Sequence, residues 1–256
     1  MLVTHSADVP TLTLPNSALS GIQLIAKDDC NHTAYEARIP ASAVVPLRSP
    51  DGTKSVHIYY CISGNGKYTA PDGSQKDLTP HTAIALSSDM TYQLAVSAES
   101  VMRLFVAYRQ DASVECKSRA VVRHLSELVG TERDIDWTSG RSRRYLIKED
   151  GFPLTLCNTS VYAKTKSRLE YRNHIESVYY ILGKVSYHWA DANGKWIHED
   201  SKIDQDNGTI FLMNLHDPHL VETHDEESCC LAVFDPVLTG KETHNLSQDG
   251  FSIYEA

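Results

Sequence analysis

Short apolar segments, separated by turn residues, recur about every ten residues along the chain. Residues 55–62 (SVHIYYCI) combine β-branched and aromatic side chains, and the turn residues SGNG follow at 63–66. Another short segment, KYTA at 67–70, leads into the turn PDG at 71–73. Short strands at this spacing are typical of a sandwich or barrel rather than of alternating β and α units. We therefore expect an all-β protein.

One segment instead has the pattern of a helix. Ser118 is an N-cap residue type, and Val121, Leu125 and Leu128 recur at helical spacing behind it. The pattern predicts a short connecting helix over residues 118–129.

The chain also contains an internal repeat. Residues 56–64 (VHIYYCISG) match residues 175–183 (IESVYYILG) at an offset of 119. Two later segments match at offsets of 127 and 126, namely 81–86 with 208–213 and 104–108 with 230–234. Such self-similarity indicates duplication of one structural unit. We predict two tandem β domains, at residues 1–110 and 111–256, with the helix at the start of the second.

Composition and charge exclude several classes of protein. The 256 residues include 24 Lys and Arg against 33 Asp and Glu, a formal net charge of −9. This acidic balance argues against a nucleic-acid partner, because such binding relies on clustered basic residues. No apolar run approaches the ~20 residues of a membrane span. Residues 1–8 lack the basic and apolar regions of a secretory signal, so a cytoplasmic location is expected.

The cysteine pattern favours reduced thiols. No pair has the Cys-x-x-Cys spacing of a structural zinc site, and disulfides are rare in cytosolic proteins. The six cysteines are Cys30, Cys61, Cys116, Cys157, Cys229 and Cys230.

The second copy carries a carboxylate and an imidazole at positions that resemble the two cupin motifs. Glu176 precedes Gly183 by seven positions, and His219 follows Gly208 by eleven. Cupins are small antiparallel β-barrels or jelly rolls, and a Glu and a His from facing strands suit a first-row divalent ion with open coordination positions. The resemblance thus implies two tandem cupin domains. The alternative for Glu176 and His219 is a buried ion pair without metal.

The first copy has different residues at the two ligand positions. His57 and Tyr92 stand there, and an isolated buried histidine is more often a hydrogen-bonded core residue than a ligand. We therefore expect the N-terminal cupin to be degenerate, metal-free and structural.

From about residue 120 to residue 254, the sequence resembles one cupin family in particular, ectoine synthase. The matching segments are 122–125 (VRHL), 130–134 (GTERD), 143–146 (RRYL), 171–179 (YRNHIESVY), 216–219 (HDPH) and 233–244 (VFDPVLTGKETH). Ectoine synthases are usually single-cupin chains, so the first copy is an addition here.

The resemblance implies a reaction and its requirements. The family cyclises N-γ-acetyl-2,4-diaminobutyrate: the α-amine attacks the acetamide carbonyl, and loss of water gives a cyclic amidine. A Lewis-acidic metal can polarise the carbonyl, positioned acid–base groups can move the protons, and binding must hold the flexible substrate folded. The implied cofactor is a divalent metal, Fe(II) in this family, and the implied partner is an N-acylated diamino acid.

The resemblance also implies roles for particular residues. Glu176 and His219 match the family's iron ligands. Candidates for proton transfer are Tyr171, His174 and His244, with Glu242 orienting one of the histidines. The substrate-binding candidates are Trp137, Arg144, Thr159, Phe211 and Phe234. Arg144 has the guanidinium geometry that suits the substrate carboxylate; the alternative for Arg143 and Arg144 is a solvated surface pair.

Two departures from the family pattern affect the site. The family's third metal ligand is a tyrosine, and Phe211 occupies that position, so metal binding is expected to be weakened or altered unless Tyr171, His174 or His216 substitutes. Ala232 replaces a pocket cysteine.

Three functions are consistent with the residues. The first is an ectoine-synthase-like cyclodehydratase, which is a hydro-lyase. The second is a diverged metal-dependent cupin hydrolase or cyclase, which the duplication and Phe211 favour. The third is a non-catalytic bicupin that binds a small metabolite, because fold alone does not determine function. The two copies would form either a pseudo-dimer within one chain or part of a homodimer.

Overall fold

The structure, a computed structural model, describes residues 1–14, 19–48, 55–87, 90–110 and 119–255. Within these ranges, the chain forms 24 β-strands and no α-helix. The helical turns are of the 3-10 type and span Ser6–Asp8, Leu125–Glu127 and Lys148–Asp150. The all-β prediction is confirmed.

The chain divides into two compact units. The first contains Met1–Asp8, Leu128–Glu149 and Leu154–Ala256, and we call it the C-terminal unit. The second contains Val9–Glu127 and Asp150–Pro153, and we call it the N-terminal unit. The domain boundary predicted at residues 110 and 111 falls at the edge of the described residues, since residue 111 lies outside them.

Two antiparallel sheets build the N-terminal unit. Its strands are β2 (Thr11–Thr13), β3 (Ser20–Ile25), β4 (Thr33–Ile39), β5 (Val44–Arg48), β6 (Ser55–Ser63), β7 (Gly66–Thr69), β8 (Gln75–Leu78), β9 (Thr82–Ser87), β10 (Thr91–Val96), β11 (Met102–Gln110) and β12 (Ala120–His124). The larger sheet has the order β12-β9-β6-β11-β4-β3-β2, and the smaller one has the order β5-β10-β7-β8. Their apolar side chains form one buried cluster.

The C-terminal unit repeats this arrangement. Its strands are β1 (Leu2–His5), β13 (Asp134–Asp136), β14 (Gly140–Arg144), β15 (Thr155–Val161), β16 (Lys166–Leu169), β17 (Ile175–Leu182), β18 (Val185–Ala190), β19 (Trp196–Asp200), β20 (Thr209–Met213), β21 (His219–Thr223), β22 (Ser228–Asp235), β23 (Thr243–Leu246) and β24 (Ser252–Glu255). The sheet orders are β1-β20-β17-β22-β15-β14-β13 and β19-β18-β21-β16-β24-β23.

The two sheet orders confirm the internal repeat. The segments matched in sequence form β6, β9 and β11 in one unit and β17, β20 and β22 in the other, and each set occupies the second to fourth positions of its seven-stranded sheet. In the C-terminal unit, alternate residues of these strands point between the two sheets, so that Val178, Phe211 and Ala232 join one buried cluster. This interior contains the candidate site.

The connecting helix predicted over residues 118–129 is wrong. Ala120–His124 forms β12, which pairs antiparallel with β9, and only Leu125–Glu127 turns helically; Ser118 lies outside the described residues. Ala120 and Val122 pack against the N-terminal core, an alternation with the period of a strand. The segment forms a strand rather than a helix because its β-branched residues fit a pleated surface. Its pairing also satisfies the backbone groups that an uncovered edge of β9 would leave unpaired.

His57 and Tyr92 have separate aromatic neighbours in the N-terminal unit. The His57 ring lies 4.6 Å from that of Tyr108 and 5.7 Å from that of Tyr59, whereas Tyr92 lies 5.8 Å from Tyr68. Burial lowers the pKa of His57 to about 3, which keeps the imidazole neutral.

The cysteines of the described residues are free thiols. Cys61, Cys157 and Cys230 are buried, and Cys30 and Cys229 are partly buried; Cys116 lies outside the described residues. In the described part of the chain, no helix is both long and apolar enough to span a bilayer.

Candidate active site

A small cavity lies between the two sheets of the C-terminal unit. Its volume is about 30 Å³, and mostly apolar side chains surround it. The predicted site residues among its lining are Trp137, Thr159, Tyr171, Glu176, Phe234 and His244. Folding thus brings together residues from six separate segments that span more than 100 positions of the chain.

Stacked aromatic rings form one wall of this inner cavity. The Trp137 ring stacks on the His244 imidazole at 5.1 Å between centroids, and Tyr171 stacks on Tyr254 at 4.7 Å. The Trp137 indole N–H is buried and has no hydrogen-bond acceptor among the described residues. Burial and the nearby Arg144 lower the pKa of His244 to about 4, so the imidazole is neutral at pH 7.

Glu176, on β17, also lines this cavity. The residue is 5% exposed, and its carboxylate has no hydrogen bond or ion pair within the described residues. Burial therefore raises its pKa well above the usual value. An isolated carboxylate is costly to bury unless a cation or a proton accompanies it.

His219, at the start of β21, is a second buried group with an unsatisfied polar atom. Its Nδ1–H donates to the Asp217 carbonyl at 2.8 Å, which leaves the lone pair on Nε2. Nε2 is buried without a hydrogen-bond partner, and burial lowers the pKa of His219 to about 4. A neutral imidazole fixed by a backbone acceptor on its other nitrogen is the usual form of a histidine metal ligand.

These two groups fit a divalent cation. Glu176 and His219 form no ion pair with each other, so the alternative of a metal-free ion pair does not describe the structure. A cation bound at either group would satisfy it; Glu176 lines the inner cavity, whereas His219 is not among the lining residues. In the described part of the chain, no cluster of three or more His, Cys, Asp or Glu side chains is arranged to hold a metal. The interior donors would therefore number two, with any further ligand of another type.

Phe211 and Tyr187 occupy the space next to His219. The Tyr187 ring stacks on Phe211 at 3.9 Å and on His219 at 5.4 Å, and both aromatic residues are buried. The Tyr187 hydroxyl lies 3.2 Å from that of Tyr180. The cavity-lining residues do not include Phe211, which acts on the site through Tyr187.

Arg144, on β14, is buried at 1% exposure, so a solvated surface pair with Arg143 is not what the structure contains. Its Nη2 donates to the Glu242 carbonyl at 2.7 Å, and its guanidinium lies 5.8 Å from the centre of the Tyr254 ring. Nε and Nη1 are buried without hydrogen-bond acceptors in the described residues. Nε–H and Nη1–H point to different edges of the guanidinium plane, so each could donate a single charge-assisted hydrogen bond to a bound anion.

Glu242 stabilises a loop rather than a histidine. Its carboxylate accepts hydrogen bonds from the Thr239 amide at 2.6 Å, the Thr239 hydroxyl at 2.7 Å and the Gly240 amide at 3.0 Å. Burial alone would raise the pKa of Glu242, but these hydrogen bonds outweigh it and the pKa is lowered. The Glu242 Oε2 atom, which accepts the hydrogen bond from the Gly240 amide, also lies 3.8 Å from Arg144 Nη1.

A second, outer cavity of about 390 Å³ lies next to the inner one. Tyr254 belongs to the walls of both, whereas His174 and Glu242 line only the outer cavity. His174 Nδ1–H donates to the Pro236 carbonyl at 2.9 Å. His216 is used structurally, because its Nδ1 lies 2.8 Å from the Tyr171 carbonyl oxygen.

Sequence reasoning missed two aromatic residues of the site. Tyr254 contacts Tyr171, His244 and Arg144, and Tyr187 fills the space between Phe211 and His219. Alternation within their strands predicts that both residues point inward, but it does not reveal what they meet there.

The two-unit topology resembles solved bicupin structures. Structures of Bacillus subtilis oxalate decarboxylase, a bicupin, match with TM-scores of 0.68 and 0.69 at 12% sequence identity, and cover 93% of this chain and 78% of the other. The comparison confirms the fold class, two tandem cupin domains. One of the matching structures was determined in work on that enzyme's Mn(II) centres.

Within this class, the C-terminal part of the chain identifies the family. The ectoine synthase family model matches residues 120–253, and the chain belongs to that family. L-ectoine synthase of Desulfatibacillum aliphaticivorans is 36% identical over 132 residues, covering 51% of this chain and 94% of that protein. L-ectoine synthase of Desulfosudis oleivorans is 32% identical over 125 residues, covering 49% and 92%. These similarities support an ectoine-synthase-like function.

Proposed function

We propose that this protein is a cyclodehydratase that converts N-γ-acetyl-L-2,4-diaminobutyrate, or a related N-acyl diamino acid, to a cyclic amidine with loss of water. The observation that carries the proposal is the placement of Arg144. This buried cation has two unsatisfied N–H donors and lies beside an aromatic cavity that contains an unpaired carboxylate, Glu176. Such an environment suits a substrate that has a carboxylate at one end and a reactive amide at the other.

Glu176 and His219 would hold a divalent metal. The Glu176 carboxylate and His219 Nε2 have no hydrogen-bond partner within the described residues, and Fe(II) is the ion that the family resemblance implies. When bound, such an ion acts as a Lewis acid that polarises the substrate's acyl carbonyl.

Arg144 and Trp137 would hold the substrate. The guanidinium of Arg144 binds the carboxylate by charge and by one of its unsatisfied donors, Nε–H or Nη1–H, and the indole N–H of Trp137 offers a further donor within the cavity wall. Fixing one end of a flexible chain favours the folded conformer in which the amine approaches the acyl carbon, which is the proximity contribution to rate.

His244 and Tyr171 would move the protons. His244 is neutral at pH 7 and can accept a proton from the attacking amine. Burial and the Glu176 carboxyl raise the pKa of Tyr171 well above its usual value, so its phenol stays protonated and can donate to the departing oxygen. The two rings meet edge to face at 6.2 Å, and the apolar walls exclude the bulk water that would favour hydrolysis.

Substrate binding requires some rearrangement of the rings. A cavity of about 30 Å³ has room for about two water molecules, which is far less than the volume of an N-acyl diamino acid. Tyr254 separates the inner cavity from the larger outer one. We therefore place the substrate across both cavities, with the Tyr254 side chain displaced.

The direct test is incubation of the purified full chain, with and without Fe(II), with N-γ-acetyl-L-2,4-diaminobutyrate. Mass spectrometry should show a product lighter by one water, and chromatography against authentic ectoine identifies it. Recovery of unchanged substrate under both conditions would rule out this cyclisation.

A second candidate is action on a different N-acyl group, or hydrolysis of the cyclic product. Phe211 and Ala232, the two departures from the family pattern, favour it. Incubation of longer N-acyl homologues and of ectoine itself, in the same assay, separates these activities from the first.

The Phe211→Tyr variant should bind a divalent metal at least about tenfold more tightly, because it restores a phenol where the family has its third ligand. Without metal, the variant should be less stable by about 1–3 kcal/mol, the cost of burying an unpaired hydroxyl. Metal titration followed by absorption and by thermal unfolding measures both effects. Phe234→Tyr places the same hydroxyl on β22 and serves as the control; equal affinities in all three proteins would contradict the third-ligand argument.

A further inference from the structure

Two histidines lie directly opposite each other on the outward face of the hairpin formed by β18 and β19. His188 and His198 are cross-strand partners in the antiparallel register. Their Nδ1 atoms are 3.3 Å apart, and their side chains are 27% and 52% exposed. Tyr187 and Trp189 flank His188 and point into the core instead, so the histidine pair lies on the face of the sheet away from the inner cavity.

Carboxylates approach the other nitrogen of each ring. His198 Nε2 lies 3.0 Å from Asp200 Oδ1, and His188 Nε2 lies 3.8 Å from Glu222 Oε2. Asp200 favours the His198 tautomer with its proton on Nε2, which leaves a lone pair on His198 Nδ1. His188 Nε2 has no hydrogen-bond partner in the described residues, and the two Nδ1 atoms are within hydrogen-bond distance of each other, so a shared proton or a shared cation can join them.

The separation of the two nitrogens matches metal chelation. Zinc–imidazole bonds of about 2.0–2.1 Å at a tetrahedral angle place two ligand nitrogens about 3.3–3.4 Å apart. The spacing found between the His188 and His198 Nδ1 atoms falls in this range. For His198, the Asp200 carboxylate at 3.0 Å completes the carboxylate–histidine–metal arrangement that is common around such ions.

The charges around the pair also suit a dication. Lys166 is the nearby positive side chain, and it is paired with Glu222 Oε1 at 2.9 Å. Asp200 accepts a hydrogen bond from the Ser186 hydroxyl at 2.6 Å, and that hydroxyl also contacts His224 Nε2 at 2.8 Å.

We propose that His188 and His198 form a separate site for a borderline divalent ion of the Zn²⁺, Ni²⁺ and Cu²⁺ class, with water in the remaining positions. The ion joins edge strand β19 to β18. Because β18 also carries Tyr187, which packs on Phe211 and His219, binding on the outer face stiffens the strand that forms part of the interior.

The test is titration of the metal-stripped full chain with Zn²⁺, and separately with Cu²⁺, in four proteins: the wild type and the variants His188→Gln, His198→Gln and His219→Gln. We expect His188→Gln and His198→Gln each to weaken binding at the outer site at least about tenfold, since loss of an outer-shell partner alone costs that much. His219→Gln should leave it unchanged. Cu²⁺ bound to His219→Gln should show the paramagnetic resonance hyperfine pattern of two equivalent nitrogens, and this pattern should vanish when either outer histidine is also replaced.

Thermal unfolding gives an independent measurement. Zn²⁺ should raise the midpoint temperature of unfolding of the wild type and of His219→Gln. It should raise the midpoint temperature of His188→Gln much less. The proposal is overturned if both outer variants bind Zn²⁺ with wild-type stoichiometry and affinity, or if His219→Gln abolishes all binding. His124→Gln, a surface histidine of the N-terminal unit, controls for adventitious binding and should behave as the wild type.

Discussion

The Glu176→Gln variant is expected to lose bound divalent metal and at least about 10³-fold in turnover, while the protein still folds. The expected loss of turnover follows from the several kcal/mol by which a Lewis acid stabilises a transition state. A 10³-fold change in rate corresponds to about 4 kcal/mol. Gln keeps the volume of the side chain but removes its charge. Metal content by elemental analysis and product formation by mass spectrometry, measured on the same preparation, test the two losses together.

The stability of this variant separates a ligand from a structural residue. The Glu176 carboxylate makes no hydrogen bond or ion pair within the described residues, so its replacement breaks no protein contact. The free energy of unfolding of the metal-free protein should therefore be unchanged or higher, because a buried unpaired carboxyl is costly. Glu170→Gln, which removes a surface ion pair with Arg172, is the matched control and should keep metal and activity. Activity retained in Glu176→Gln would refute the site assignment.

The Arg144→Met variant is expected to lower kcat/KM by about 10–10²-fold, with KM rising. One charge-assisted hydrogen bond to a substrate carboxylate contributes about 1.5–3 kcal/mol, which converts to this range. Arg144→Lys should recover only part of the loss, because an ammonium keeps the charge but lacks the fixed donor directions of a planar guanidinium. Steady-state kinetics on the three proteins measure the series.

A substrate analogue distinguishes carboxylate binding from a structural effect of Arg144. The residue also donates to the Glu242 carbonyl, so its loss can disturb the loop at 239–242 without any substrate contact. If Arg144 binds the carboxylate, the wild type should have a low kcat/KM for the carboxamide analogue. The Arg144→Met substitution should then lower kcat/KM for this analogue only a little further. Equal fractional losses for both substrates would mean that Arg144 acts only through the loop. Arg143→Met, at the partly buried neighbour, controls for general loss of charge.

The candidate site residues were predicted from the sequence because they match motifs of the ectoine synthase family, and strand alternation agrees with the placement of one of them. Alternation along β17 places Glu176 on the same face as Val178 and Tyr180, and both of these join the core. The inner cavity contains Trp137, Glu176 and His244 in one lining. The roles of individual groups were less predictable: Glu242 was expected to orient a histidine, yet its hydrogen bonds go to the loop at 239–240. Such short-range partners depend on the local path of the backbone, which residue types do not specify.

The sequence by itself determined the all-β class, the duplication and the family of the C-terminal part, because these depend on periodicities and motifs that repeat over many residues. Only the tertiary structure decided features that depend on two distant segments meeting. The edge of β9 made Ala120–His124 a strand rather than a helix, and the hairpin register brought His188 to within 3.3 Å of His198. Burial of Arg144, and the absence of any partner for Glu176 within the described residues, likewise arise from packing. Pairing partners and solvent access are properties of the assembled sheets and not of any local segment.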